Sequence, residues 1–151
     1  MRQKVPLEHW EQVQLFAWAS YRRDLDLMYA IPNGGHRDVR VAVKLKEEGV
    51  KAGVPDICLP VARGEKHGLY IELKRRKYGR LDSDQAKWLE ALMREGYACA
   101  VCFGWEEARD VIENYLRGAT DDKAGFSQEK QRKPDAPARA GNGRAAVRRS
   151  L

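Results

Sequence analysis

Residues 69–75 read L-Y-I-E-L-K-R. Side chains on a strand alternate between faces, so Tyr70, Glu72 and Lys74 share one face and Leu69, Ile71 and Leu73 the other. Just upstream, G-V-P-D-I-C-L-P sets Asp56 at the mouth of a short apolar run bounded by prolines. On an exposed edge strand the acid and the lysine are ordinary solvated charges, with the lysine guarding the edge. In a hairpin they are more than that. A turn near Gly64 to Gly68 pairs Asp56 with residues in the low 70s, so Asp56 and Glu72 converge. Two carboxylates plus a main-chain carbonyl suit Mg²⁺, which takes oxygen ligands and keeps several waters. Lys74 stands on the same face and can orient or activate a water and stabilise charge on a phosphate.

The elements that must position these groups follow from pattern and punctuation. E-H-W-E-Q-V-Q-L-F-A-W-A-S-Y-R-R predicts an amphipathic helix whose stripe is Trp10, Val13, Phe16, Ala17 and Tyr21. L-M-Y-A-I is a short strand stopped by the turn signal Pro32-Asn33-Gly34-Gly35. R-D-V-R-V-A-V-K-L-K-E-E-G is a second helix ending at Gly49. D-I-C-L-P and L-Y-I-E-L-K-R are strands joined by the A-R-G-E-K-H-G turn. A helix follows, with Asp82 or Ser83 as N-cap and Gly96 past its end. Y-A-C-A-V-C-F-G is a strand and W-E-E-A-R-D-V-I-E-N-Y-L a last helix. The order α-β-α-β-β-α-β-α describes an α/β fold, a small mixed sheet flanked by helices, with a right-handed strand-helix-strand crossover.

Composition bounds the function. The 151 residues fit one domain, and 43% hydrophobic content supports a core. No apolar run is long enough for a transmembrane helix, and the N-terminus lacks a secretory stretch, so no membrane partner is expected. Three cysteines argue against a disulfide framework and fit a reducing cytoplasm. The net charge of +6 suggests an anionic partner such as nucleic acid. Residues 121–151 hold eight Lys/Arg against four Asp/Glu, so most of that signal lies in the tail rather than the core. From about Gly118 the chain is rich in Lys, Arg, Gly, Ala and Pro without periodicity, which predicts a basic disordered tail over 118–151. Cys99 and Cys102 form a C-x-x-C, but on a strand they face opposite ways and cannot share a zinc ion. Trp10, Trp18, Trp88 and Trp105 fall on helix faces as core residues. There is no Gly-rich phosphate loop, so ATP-driven chemistry is not expected.

Asp56 followed by Glu72-Leu73-Lys74 resembles the PD-(D/E)xK nuclease signature, with the proline present as Pro55. More narrowly, five ordered blocks resemble the VRR-NUC family. They are P-N-G-G, G-V-P-D-I-C-L-P, H-G-L-Y-I-E-L-K, D-Q-A-K-W-L and a G-Y strand. The match covers about residues 8 to 117, which sets a nuclease domain at 1–117 and the tail beyond it. The resemblance implies a restriction-endonuclease-like fold and a Mg²⁺- or Mn²⁺-dependent endonuclease acting on DNA. On that implication Asp56, Glu72 and the Leu73 carbonyl bind the metal, and Lys74 positions the attacking water. A first-helix glutamate would hold a metal-bound water; Glu11 is the choice, with Glu8 one turn earlier as the alternative. Gln85 would be a site residue near the lysine or the DNA backbone.

The remaining expectations concern DNA and partners. Asn33, Gly34 and Gly35 form a turn whose bare backbone can approach DNA, and a plain tight turn explains them equally. Arg75, Arg76, Lys77 and Arg80 look like phosphate contacts, or else a solvated loop. Stand-alone members of such a family are often homodimers on branched or structured DNA, such as Holliday junctions or flaps. A compact nuclease with a loose tail suits a phage, acting in the cytoplasm of a bacterial host. The rival reading is a non-catalytic nucleic-acid-binding module that kept the fold; the intact Asp56, Glu72 and Lys74 set counts against it.

Overall fold

Alternation and helical spacing are realised in the expected order. The computed structural model describes residues 7–32 and 39–118. It contains α1 (Glu8–Ala19), β1 (Tyr29–Ala30), α2 (Val39–Glu47), β2 (Ile57–Leu59), β3 (Leu69–Lys74), α3 (Ser83–Arg94), β4 (Ala98–Phe103) and α4 (Trp105–Leu116). A short 3₁₀ turn, Arg23–Leu25, precedes β1 and was not expected from the pattern. The basic tail beyond Gly118 and the Asn33-Gly34-Gly35 turn lie outside the described residues.

The sheet order is β1-β2-β3-β4. β1 and β2 are antiparallel, β2 and β3 form the antiparallel hairpin, and β3 and β4 run parallel across α3. This is the small mixed sheet flanked by helices that the pattern called for. Leu69, Ile71 and Leu73 of β3 are buried with Ile57, Leu59, Ala100 and Cys102. Leu15 and Ala19 of α1 and Ala108, Ile112 and Tyr115 of α4 complete that core. α3 packs against β4. Its start is fixed by a capping box: the Asp82 side chain accepts from the Asp84 and Gln85 N–H groups, and Gln85 returns a bond to the Asp82 N–H.

The stripe expected for α1 is displaced. The buried positions are Glu11, Leu15 and Ala19, whereas Trp10 and Val13 are about half exposed and Tyr21 is exposed. A glutamate can stand on the inner face because its two oxygens find buried donors, and no hydropathy pattern anticipates that. Trp10 is therefore not a core residue; Trp18 and Trp105 do pack against the core, and the Trp88 indole donates to the Ala52 carbonyl. α2 buries no residue, and Val39, Val41 and Val43 are exposed. Cys102 lies in the core cluster and Cys99 outside it, as opposite strand faces require. All three cysteines are buried, and none is in a disulfide. Among the described residues no helix is long and apolar enough to cross a membrane.

Candidate active site

The hairpin register builds the site. Ile57 is opposite Ile71, and continuing the register sets Asp56 opposite Glu72 and Pro55 opposite Leu73. The Asp56 carbonyl accepts from Ile31 N–H at 2.7 Å on the β1 side. The pair Asp56–Glu72 is therefore the closely spaced, non-hydrogen-bonded kind, with side chains adjacent on one face. Leu73 N–H is turned toward the β2 side, where it donates to Asp56 Oδ2 at 2.8 Å. Its own carbonyl faces Pro55, which has no N–H to give. The proline thus ends the ladder, because it cannot donate to the Leu73 carbonyl.

Glu72 is fully buried. Its Oε1 accepts from Lys74 Nζ at 2.6 Å and from Gln85 Nε2. Its Oε2 is buried and has no hydrogen-bond partner, an arrangement that costs about 1–3 kcal/mol. Burial first, then the Asp56 charge, pushes the Glu72 carboxyl up to about 8, against the pull of Lys74. Burial also raises Asp56, opposed by the Leu73 N–H and by Lys74. Burial and the neighbouring charge thus both favour the protonated form of Glu72, and a bound cation would favour the ionised one. Lys74 is itself only 6% exposed.

The first helix contributes two acids in different ways. Glu8 keeps contact with solvent; partial burial raises its carboxyl, and it feels the charges of Lys74, Asp56 and Arg75. Glu11, the sequence choice for the site acid, has both oxygens engaged elsewhere. Its Oε2 accepts from Trp105 N–H at 2.9 Å, across 94 residues, and its Oε1 from Arg76 Nε at 3.0 Å. Glu11 caps α4 and anchors Arg76 instead of facing Asp56 and Glu72.

The basic stretch after Lys74 divides. Arg76 is bound internally, to Glu11 and to Glu106, so the phosphate contact expected of it is already taken by carboxylates. Gly104, with φ of 98°, lets the Arg76 side chain pass at its Cα; a Cβ there would come within 2.8 Å of Arg76 Cγ. Arg75 lies over the Tyr78 ring, and Lys77 and Arg80 are exposed. Gln85, expected near the lysine or the DNA backbone, donates to Glu72 Oε1. The pattern gave no signal for the Glu11–Arg76–Glu106 network, since its members are far apart in sequence. Burial pushes the Cys99 thiol up to about 12, which leaves it inert as a nucleophile or metal ligand.

A hydrated hard cation fits this donor set. Among the described residues no three His, Cys, Asp or Glu side chains form a protein-only metal cage. What is present is a buried carboxylate oxygen with no partner, a carboxylate facing it and a main-chain carbonyl opposite a proline, the sparse oxygen set that Mg²⁺ accepts while keeping its waters.

Comparison with known proteins agrees with this geometry. The family model of the VRR-NUC domain matches residues 2–105. A solved structure described as a VRR_NUC domain protein is similar at 30% identity and a TM-score of 0.67, over 76% of this chain and 92% of its own. No curated protein matches the chain.

Proposed function

Given that the chain belongs to the VRR-NUC domain family and is therefore a nuclease-type domain, we propose that it is a Mg²⁺- or Mn²⁺-dependent endonuclease hydrolysing DNA phosphodiester bonds. The observation that carries the reading is the buried, partnerless Glu72 Oε2 beside Asp56, with Lys74 and Gln85 fixed on the other oxygen. A group that costs stability when empty is explained by a cation that satisfies it.

Asp56, Glu72 and the Leu73 carbonyl would hold the metal, and Glu8, which stands near the charges of the site, takes the part of the first-helix acid. When bound, the cation lowers the pKa of water and neutralises charge on the phosphate. The chain's own residues do the rest. Gln85 and Leu73 N–H fix the two carboxylates. Lys74 orients the attacking water and offsets the charge that builds on the phosphoryl oxygens. Arg75, Lys77 and Arg80 contact flanking phosphates. The substrate is branched or structured DNA, and the chain acts as a homodimer whose exposed α2 valines are the surface offered to a second copy.

Cleavage of plasmid, flap and four-way-junction DNA with Mg²⁺, Mn²⁺ or EDTA tests this, comparing wild type with Lys74→Ala. Wild type should cut only with metal, and Lys74→Ala should bind but lose cleavage by at least about 100-fold. If wild type binds DNA equally with and without EDTA and never cuts, the protein is a binding module.

A further inference from the structure

Tyr78 is the one feature near the site that neither the fold nor the metal chemistry explains. It is 81% exposed, and it is the only non-glycine among the described residues with positive φ, at 67°. For a bulky aromatic residue that conformation is unfavourable, by about 1–2 kcal/mol. Burying the ring does not offset this cost, because the ring is not buried.

The loop that carries it is nonetheless held tightly on the catalytic lysine. A Cβ at Gly79 would lie 2.8 Å from both Lys74 Cβ and Arg75 O, so the backbone at 79 rests directly against the end of β3. Arg75 Cζ stands 6.0 Å from the Tyr78 ring centroid. That contact steadies one face of the ring and places a positive charge beside it. Lys77 and Arg80 flank it, exposed, and neither forms an ion pair among the described residues. The result is a solvent-facing aromatic ring beside Arg75, with Lys77 and Arg80 exposed on the same loop, whose backbone at Gly79 rests against Lys74. An aromatic ring with basic neighbours is the chemistry that recognises an unstacked base and the backbone on either side of it.

We propose that Tyr78 is a stacking platform for an unpaired nucleobase next to the scissile phosphate. The inference rests on the nuclease reading and narrows its substrate to DNA with unpaired nucleotides at the cut. The base lies on the ring, Arg75 supports the stack, and Lys77 and Arg80 take the neighbouring phosphates.

The test measures binding of labelled single-stranded and blunt duplex oligonucleotides with Mg²⁺, in a Lys74→Ala background that leaves the DNA intact. Tyr78→Gly removes the ring at a position whose φ glycine adopts freely, so the fold should be kept and its melting temperature should not fall. The expected result is a loss of roughly 10-fold on single-stranded DNA, little change on duplex, and retention of affinity in Tyr78→Phe. Unchanged single-strand binding in Tyr78→Gly overturns the proposal, as does an equal loss on duplex, or a loss in Tyr78→Phe as large as in Tyr78→Gly. Wild type that cuts DNA with metal while Tyr78→Gly matches it overturns the platform alone. Protein that neither binds nor cuts any DNA overturns both readings.

Discussion

Glu72 carries the largest local conflict in the chain, a buried carboxylate with one oxygen doubly held and the other without a partner. Its carboxyl is raised to about 8, so the folded state binds a proton more tightly than the unfolded chain does. The sign follows from linkage: without metal, stability falls as pH rises from about 4.5 to about 8. Denaturant unfolding in EDTA across that range should show the fall, and Glu72→Gln should flatten it. Glu72→Gln should also lose the stabilisation that added Mg²⁺ gives wild type. The two losses separate a residue kept for function from one kept for folding. Arg76 is the reverse case. Arg76→Ala leaves Glu11 with only the Trp105 N–H, and, since the Arg76 side chain is itself partly in solvent, should cost about 1–2 kcal/mol. Its salt dependence of DNA binding should stay as in wild type, whereas Lys77→Ala or Arg80→Ala should each lower the slope by about one without a stability loss.

At the scale of elements, the site depends on how strands and helices end. A proline precedes β2, and Pro55 has no N–H to offer the Leu73 carbonyl opposite it. α3 begins with the capping box, and Gln85 belongs both to that box and to the site, accepting from Asp82 N–H and donating to Glu72. Asp82→Ala should therefore cost about 1 kcal/mol of stability and also reduce cleavage, because the cap orients Gln85. A thermal melt read beside a cleavage rate checks both. α4 begins without a side-chain cap of its own, and Glu11 of α1 supplies the acceptor at Trp105 N–H from another element. The turn of α1 that carries Glu8 is thereby locked to the ends of β3 and β4.

At the scale of the whole molecule, two features remain uncovered by the fold. One is α2, which buries nothing and shows Val39, Val41 and Val43 to solvent. Val39 and Val43 share one face of it and Val41 lies on another, and isolated helices this short are marginal in water. On the proposed homodimer, Val39→Glu combined with Val43→Glu should convert dimer to monomer in sedimentation velocity without unfolding the sheet. The other is charge. The net +6 predicts DNA affinity that falls steeply with added salt.

The sequence by itself determined the elements and their order, the hairpin that sets Asp56 against Glu72, and the family. These depend on local spacing: a two-residue strand period, a turn of known length and five short blocks in order. It also singled out Lys74 and Gln85, whose side chains both bond Glu72 in the structure. What only the tertiary structure decided were contacts between residues far apart in sequence. The inner face of α1 could not be read from hydropathy, because Glu11 is buried by virtue of donors supplied by Arg76 and by Trp105 N–H. For the same reason a run of four basic residues looked uniform, although Arg76 is committed to carboxylates and its neighbours are not. Local pattern reports what a residue prefers on average, whereas burial of a charge is settled by the partner that folding brings to it.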